Sequence, residues 1–415
     1  MRIAYVANYQ GPSLVRSRPC LHNFSLAARV KIQLIAELLQ ASSHEVEIIS
    51  QGALEPQVGA DRFRFRFYPP FSESELFHPK IPIYYASALS VKFLIGFWES
   101  FQAQRLLRAR HNHRPFDIVI IYNLQRAQIG CARYAIRQLG LPVILQYEDD
   151  SFVDVHGQAA NGLTSHYSRQ ICRQVLTSIS GGTAVSPYLL SHLPSEVPKL
   201  LLRGVVSKEI LRSSQGAKVH KKNWVVFSGT HERTQGLEQM ITAWRMLELP
   251  NWELHIAGVG PITSTLEELA KSTHNIVFHG LLSREDNASM LCAAKIGMNP
   301  QDVTKTPGNV FAFKIVEYLA AGTHVITTPR GALEPELESG VSYISDNAPQ
   351  TIAACLKQVI SDRRYECTAV EATLQTYGPN AVCKSLNNLL EKVTAGMGKA
   401  RPGPQDDVVA SARGQ

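Results

Sequence analysis

The sequence predicts an α/β protein of two doubly wound domains that face a common cleft. Three observations support this prediction. Short apolar runs alternate with segments of helical periodicity, which is the order that parallel βαβ units require. The alternation stops in a polar, weakly periodic stretch at residues 200–223 and then starts again. The chain has 415 residues, a length that suits two domains.

The first half carries several short apolar runs and one alternating run. The apolar runs have the length of buried strands, and the alternating run has the pattern of a half-exposed strand. Helical segments separate them, and one of these ends at Gly140. The predicted strands are residues 3–8, 45–50, 63–68, 117–123, 142–148 and 181–186, and the predicted helices are residues 28–40, 127–139 and 164–178.

The second half repeats the same rhythm. Its predicted strands are residues 224–230, 252–258, 275–280, 295–300 and 324–328, and its predicted helices are residues 236–247, 263–271, 313–322, 350–360 and 380–393. The predicted division is an N-terminal domain at 1–200, a linker at 201–223, a C-terminal domain at 224–379, a helix at 380–395 and a disordered tail at 396–415. A cleft between the two domains is the expected ligand site.

Composition excludes several classes of protein. The apolar fraction is 45% and the charged fraction 19%, so the chain is neither collagenous nor wholly disordered. A net charge of +7 suits an anionic partner such as a nucleotide, a membrane surface or nucleic acid. The sequence has no run of five or six lysines and arginines, the pattern that would predict an arm for binding nucleic acid. The 7 cysteines form no CxxC pair, which favours reduced cytosolic thiols over a zinc site or a disulfide framework.

Residues 81–98 form an apolar segment with the length of a membrane span. Pro82, Lys92 and several polar residues interrupt it. We therefore expect an apolar helix at about residues 84–101 that is buried in the core or lies on a membrane surface.

The segment at residues 313–322 places Lys314 and Glu317 near the start of an otherwise apolar helix. A helix N-terminus and a lysine favour a phosphate, and a glutamate one turn later can accept two hydrogen bonds from a ribose diol. The alternative is a glutamate in the first turn of a surface helix, and the pattern of this segment alone leaves both interpretations open.

An ordered set of motifs in the second half resembles the C-terminal domain of family 4 (group 1) glycosyltransferases, which are retaining enzymes of GT-B fold with two Rossmann-like domains. The matching features are glycine turns after successive strands and a helix that carries a glutamate. They lie at residues 225–236, 256–261, 277–282, 313–328 and 330–337.

The resemblance implies roles for individual residues of the donor site. Glu317 matches the glutamate that holds the donor ribose. The turn after the third strand, with Gly280, Leu281 and Leu282, matches the base-contacting turn. The donor sugar and the diphosphate are expected beside the first glycine turn and the start of the helix, at Gly229, Asn309, Val310 and Phe311.

The sequence departs from the family pattern at three positions. Asn309 stands where many relatives have a sugar-binding glutamate, and Thr230 and Gln235 stand where an arginine and a lysine neutralise the diphosphate. Gln235 is still expected to contact the donor. Arg233 and Lys314 are the nearest substitute cations, and we expect them to serve in catalysis.

The first half is a more distant match and is expected to bind the acceptor. Gly11 follows the first strand, where the family has a loop that faces the donor phosphates, and Arg16 and Arg18 supply charge nearby. Carboxylates end the strand at residues 142–148, where sites of α/β proteins gather. Among Glu148, Asp149 and Asp150, the expected catalytic residue is Asp149; the alternatives are helix capping and a solvated turn. No metal site is expected, because GT-B enzymes do not use the metal-binding carboxylates of GT-A enzymes.

The implied activity is transfer of a sugar from a nucleoside-diphosphate sugar to a hydroxyl acceptor, with the anomeric configuration kept. The sugar nucleotide is a substrate, and no cofactor is expected. A lipid-linked oligosaccharide acceptor, a cytoplasmic location with peripheral contact to the inner membrane face and no nucleic-acid partner are the accompanying expectations. Two alternatives remain: a non-catalytic sugar-nucleotide-binding scaffold, which the changes at Thr230, Gln235 and Asn309 motivate, and a sugar-nucleotide epimerase.

Overall fold

The structure is a computed structural model of the chain. It describes residues 1–18, 21, 26–54, 66–74, 81–91, 94–149, 163–215, 220–304, 311–329, 333–365 and 367–397. Several sequence predictions lie outside these residues. They concern Asn309, Val310, Asp150, residues 63–65 of the predicted alternating strand and residues 398–415 of the predicted tail.

The first half of the chain forms a sheet of 8 strands. The strands of this half are β1 (Arg2–Val6), β2 (Glu45–Ser50), β3 (Phe67–Tyr68), β4 (Phe71–Glu73), β5 (Ile83–Tyr85), β6 (Ala88–Leu89), β7 (Ile118–Tyr122), β8 (Val143–Tyr147), β9 (Gly181–Ala184) and β10 (Lys199–Leu201). The large sheet has the order β10-β9-β8-β7-β1-β2-β5-β4, and β3 pairs with β6 in a separate two-stranded sheet. All neighbours in the large sheet are parallel except β4 and β5.

Helices cover both faces of this sheet. They are α1 (Pro12–Ser17), α2 (Leu26–Ala41), α3 (Ile95–His113), α4 (Arg126–Tyr134), α5 (Leu163–Leu176) and α6 (Pro187–Ser191), and a π-helical turn at Ala135–Leu139 extends α4. Every residue of β1, β7 and β8 is buried, as strands covered on both faces require. Gly140 ends the π-helical turn in the left-handed conformation, where the sequence predicts the helix to end.

The second half forms a fully parallel sheet of 6 strands. Its strands are β11 (Lys222–Ser228), β12 (Glu253–Ala257), β13 (Ile276–Gly280), β14 (Ala294–Asn299), β15 (His324–Thr327) and β16 (Val341–Tyr343), in the order β13-β12-β11-β14-β15-β16. Its helices are α7 (Lys208–Gln215), α8 (Leu237–Arg245), α9 (Thr263–Ala270), α10 (Arg284–Ala293), α11 (Lys314–Ala320), α12 (Pro349–Ser361) and α13 (Val370–Tyr377). Short 3₁₀ segments lie at Arg233–Gln235 and Pro335–Gly340.

Each sheet has one place where the strand order reverses. It lies between β1 and β7 in the first sheet and between β11 and β14 in the second. Ligands of doubly wound proteins bind beyond the carboxyl ends of the strands at such points. The loops that follow β1, β7, β8 and β11 are therefore the expected lining of a site.

The end of the chain returns to the first sheet. Helix α14 (Pro379–Met397) follows α13. Its Leu386 and Leu390 share a buried core with Ile35 and Leu39 of α2. Within the predicted linker at 201–223, α7 places Ile210 in a buried core that also contains residues of α10.

The predicted apolar helix at residues 84–101 is wrong in its first part. Ile83 and Tyr85 are buried and Tyr84 is half-buried, the alternation of a strand, and this segment pairs with β2. The helix itself begins at Ile95 and is α3. Pairing with β2 thus outweighs the overall apolar character of the segment. Within the described part of the chain, no helix combines the length and the apolar character needed to cross a membrane.

Candidate active site

A cleft of about 450 Å³ lies between the two sheets. Both halves of the chain line it, and many of the lining residues follow the carboxyl ends of strands. The predicted site residues that the structure brings together there are Asp149, Gly229, Gln235, Leu281, Leu282, Phe311, Lys314 and Glu317.

Two glycine loops form the wall beyond β11 and β12. Gly258 has a φ of 122°, and a Cβ there would lie 1.9 Å from the carbonyl oxygen of Gly229. Only glycine therefore permits the two loops to pack this closely. Their contact places the backbone of Gly229 and Gly258 at the wall of the cleft.

Lys314 lies beside the first of these loops. A Cβ at Gly229 would lie 2.8 Å from the Lys314 ammonium, which also donates a 3.0 Å hydrogen bond to Gln235 Oε1. The ammonium lies 3.9 Å from the centre of the Phe227 ring. Burial in these surroundings lowers the pKa of Lys314 to about 7. Lys314 is thus poised to gain from an anion that enters the cleft.

Glu317 lies one turn further along α11 and also lines the cleft. Burial raises the pKa of Glu317 to about 7, although the nearby cations of Lys314 and Arg284 oppose the shift. A half-buried carboxylate in this position can accept hydrogen bonds from a diol. Helix α11 is a short helix of 7 residues that begins at Lys314, so the lysine and the helix N-terminus that the sequence predicts to favour a phosphate lie together.

The turn after β13 contributes apolar surface. Gly280 has a φ of 63° and its carbonyl accepts a 2.7 Å hydrogen bond from Gly258 N–H. This hydrogen bond holds the turn at Gly280 against the loop of Gly258, and Leu281 and Leu282 follow the turn directly. Leu281, which is 62% exposed, and Leu282 line the cleft, whereas Gly280 itself is not part of the lining.

The first half contributes a positioned carboxylate. Asn123 adopts a left-handed conformation with a φ of 62°. Its Oδ1 accepts hydrogen bonds from the backbone N–H groups of Glu148 (2.7 Å) and Asp149 (3.0 Å), and its Nδ2 donates to Asp149 Oδ2 at 3.0 Å. Asp149 is therefore exposed to the cleft but held in one orientation.

Lys31 is a cleft residue that the sequence prediction missed. It lies on α2, forms a buried ion pair with Glu148 and donates a 2.9 Å hydrogen bond to the carbonyl of Arg203. The second carboxylate oxygen of Glu148 accepts a 2.8 Å hydrogen bond from Gln146. Lys31 precedes the buried Ile35 by one helical turn, so it lies on the apolar face of α2. A lysine on the apolar face of a predicted helix is the sequence signal that could have identified Lys31 as a site residue.

Arg284, also missed, links the two halves. It lines the cleft from the first turn of α10, donates to Glu37 at 3.3 Å and pairs with Glu209 at 3.1 Å. Arg203 makes a second link: its guanidinium lies 4.4 Å from the centre of the Phe311 ring. Both contacts join the first half of the chain to the second beside the cleft.

Other residues predicted near the site lie elsewhere. Arg233 is exposed on a 3₁₀ segment and is not part of the cleft lining. Gly11 is outside the lining too, and its N–H donates a 3.1 Å hydrogen bond to Tyr85 Oη. Arg18 is buried and donates to the carbonyls of Gly52 (3.0 Å) and Ala86 (2.7 Å), so its charge stabilises loops rather than a ligand. Arg16 bonds to Ser13 Oγ.

Comparison with known families identifies the second half. Residues 209–375 match the family model described as glycosyl transferases group 1. This part of the chain is therefore similar to the group 1 glycosyl transferases. The match contains the glycine loops, the turn after β13 and α11, so the predicted family resemblance is confirmed.

A curated relative matches part of this domain. The GDP-mannose-dependent alpha-(1-6)-phosphatidylinositol dimannoside mannosyltransferase of Mycobacterium tuberculosis is 29% identical over 128 residues, which are 30% of this chain and 32% of that protein. The chain thus aligns with about a third of the length of the curated relatives it matches.

Solved structures share the whole fold. Sucrose-phosphate synthase from Thermosynechococcus elongatus has a TM-score of 0.69 at 15% identity, over 95% of this chain and 100% of that chain. Anabaena HepE in complex with UDP-glucose has a TM-score of 0.62 at 13% identity, over 94% of this chain and 99% of that chain. The two halves of the chain together therefore have the predicted GT-B fold.

Proposed function

We propose that this protein transfers a sugar from a nucleoside-diphosphate sugar to a hydroxyl group of a glycolipid or polysaccharide, with the anomeric configuration retained. The observation that carries the proposal is the joint placement of Lys314 and Glu317 beside the Gly229 loop, with Asp149 on the wall of the same cleft that the first half supplies. The curated mannosyltransferase and the UDP-glucose complex of HepE support a sugar nucleotide as donor.

The donor end of the cleft suits a nucleotide diphosphate. Glu317 can accept hydrogen bonds from both ribose hydroxyls, and Leu281 offers an apolar surface to the base. Lys314 beside Gly229 can neutralise the charge that grows on the diphosphate as the sugar–oxygen bond breaks. Fixed cations aimed at such charge contribute strongly to catalysis in a site that excludes water.

Asp149 can bind a hydroxyl group of the acceptor or of the donor sugar. Its carboxylate, oriented by Asn123, can accept a hydrogen bond from a hydroxyl and so place that hydroxyl against the anomeric carbon. In the proposed reaction the leaving phosphate takes the proton of the acceptor hydroxyl, so Asp149 orients the acceptor without acting as its base. The acceptor class rests on the phosphatidylinositol dimannoside substrate named for the curated relative.

A thermal-shift panel with UDP, GDP, ADP, TDP and CMP tests the donor site first. A nucleotide at about 100 times its Kd stabilises a protein by roughly 2.7 kcal/mol, which amounts to several degrees for domains of this size. We expect one nucleoside diphosphate to raise Tm in the wild type and the matched control Glu285→Gln, an exposed residue of α10. Glu317→Gln should abolish most of the shift.

Turnover is tested with the sugar form of the nucleotide that binds. Release of the nucleoside diphosphate that depends on an added glycolipid, with an NMR coupling showing the donor's anomeric configuration in the product, is the expected result. If the sugar nucleotide binds but no nucleoside diphosphate is released with any of the acceptors added, the non-catalytic alternative would replace the proposal. Conversion of the donor sugar with no acceptor present would replace it by epimerisation.

A further inference from the structure

Helix α3 presents an exposed face away from the cleft, which we call the α3 stripe. It consists of Leu94, at the N-cap, and Phe97, Phe101, Arg105 and Arg108. Their spacing of three or four residues places them on one side of the helix. Leu94 is 53% exposed, Phe97 69% and Phe101 60%, and both arginines are exposed. Large apolar side chains grouped this way mark an interaction surface.

The opposite face of α3 is fixed to the domain. Ala103 and Leu107 are buried in its core. Gly96 and Gly130 permit a close approach of α3 and α4: a Cβ at Gly96 would lie 2.5 Å from the Arg126 guanidinium, and one at Gly130 would lie 2.4 Å from Ser100 Oγ. The α3 stripe cannot turn inward without loss of this packing.

The charges of α3 are sorted between its two faces. Its one carboxylate, Glu99, points inward and accepts a 3.0 Å hydrogen bond from Leu54 N–H. Arg110 and Arg114, near the C-terminus, pair with Glu47 and Glu45. In the part of the chain that the structure describes, Arg105 and Arg108 form no ion pair, so the α3 stripe is apolar at one end and cationic at the other.

A neighbouring strand extends the apolar end. Phe67 of β3 is 50% exposed and packs edge-on against Trp98, with 6.3 Å between ring centres. The Arg126 guanidinium lies 5.1 Å from the centre of the Phe97 ring. Aromatic rings beside guanidinium groups are the chemistry of the boundary between lipid headgroups and acyl chains.

We propose that the α3 stripe docks the protein on an anionic lipid bilayer, with the apolar residues at the acyl boundary and the arginines among the lipid phosphates. Charge complementarity selects this occupant, because Arg105 and Arg108 form no ion pair with any described residue, and exposed cations of this kind match a phosphate surface. None of the residues of the stripe lines the cleft. The inference is therefore independent of the proposed function.

Co-sedimentation with vesicles tests the docking. We expect the wild type to bind vesicles of phosphatidylcholine mixed with phosphatidylglycerol and to bind phosphatidylcholine alone much more weakly. Phe97→Ser/Phe101→Ser should lower partitioning by roughly a hundredfold. Arg105→Gln/Arg108→Gln should lower it by about 25-fold, only on the anionic vesicles. The exposed controls Met246→Ser and Arg137→Gln should bind like the wild type.

Trp98 provides a direct readout of which face touches lipid. Brominated lipids should quench its fluorescence in the wild type, and Trp98→Phe should remove that quenching, because the other tryptophans lie in the second half. Equal vesicle binding by Phe97→Ser/Phe101→Ser and the wild type would overturn the proposal. So would concentration-dependent self-association that this double variant abolishes, without vesicle binding, since the stripe would then contact a second copy.

Discussion

The two walls of the cleft hold their charges in different ways. On the first-half wall, Lys31 and Glu148 are buried together; Lys31 also donates to the carbonyl of Arg203, and Glu148 also accepts from Gln146. On the second-half wall, burial brings the pKa values of Lys314 and Glu317 to about 7 from opposite directions. The buried charges of the first wall are already paired with each other before a ligand arrives, whereas Lys314 of the second wall would gain from an anionic ligand. We therefore expect the first wall to maintain the shape of the cleft and the second wall to bind the charged part of the proposed donor.

The largest expected effect comes from breaking the buried ion pair between Lys31 and Glu148 on the first wall. Lys31→Met leaves Glu148 buried without its cation, and such a change costs about 3–5 kcal/mol. Burial already raises the pKa of Glu148, and removal of the Lys31 cation should raise it further, so the loss of stability relative to the wild type should be larger at pH 8 than at pH 5. Lys31→Met/Glu148→Leu should recover most of the lost stability. Equal losses at both pH values would show that the pair is not electrostatically coupled.

The second expected effect comes from removing Lys314, the cation of the second wall. Lys314→Met should lower kcat for sugar transfer by about 10²–10³-fold, because a fixed charge no longer stabilises the leaving diphosphate. The fold should persist, since the variant removes a charge whose burial is unfavourable. Lys357→Met, at an exposed position of α12, is the matched control and should leave kcat unchanged. A kcat for Lys314→Met within a few-fold of the wild type would assign the diphosphate to another cation.

The third expected effect is the pH dependence of nucleotide binding. A diphosphate favours protonated Lys314, whose pKa in the free protein is about 7. Above pH 7 Glu317 is already ionised, so each further pH unit should weaken binding by up to tenfold as Lys314 must take up a proton. Calorimetric titration of the nucleoside diphosphate at pH 7, 8 and 9 measures this slope. A flat profile in the wild type would contradict the contact between Lys314 and the diphosphate.

The residues of the second wall were predicted from the sequence better than those of the first wall, for a physical reason. Lys314 and Glu317 lie one turn apart on one helix, so local periodicity is enough to place them together. Lys31 and Glu148 are 117 residues apart, and only the packing of α2 beside the end of β8 joins them. Arg18 shows the same limit, because the loops whose carbonyls it bonds are distant in sequence.

Strand pairing accounts for the main error in the fold. The apolar content of residues 81–98 is compatible with either a helix or strands, and β2 decides the outcome by pairing with Ile83–Tyr85. By contrast, β1, β7 and β8 are buried along their whole length, and continuous apolar runs of that kind are read correctly from the sequence.

The smallest expected effect separates binding from stability at Glu317. Its pKa is about 7 in the folded protein and near 4.5 when unfolded, so its burial destabilises the fold increasingly from pH 4.5 to 7 and by a constant amount above. Glu317→Gln removes part of that penalty, because a buried amide keeps a desolvation cost of its own. Urea unfolding should show no gain near pH 4 and a gain of about 1 kcal/mol at pH 8, where Lys314 is largely neutral and loses no partner. Glu285→Gln should change stability little at either pH. A loss of stability at pH 8 in Glu317→Gln would show that the carboxylate supports the fold, and the contrast between the walls would then fail.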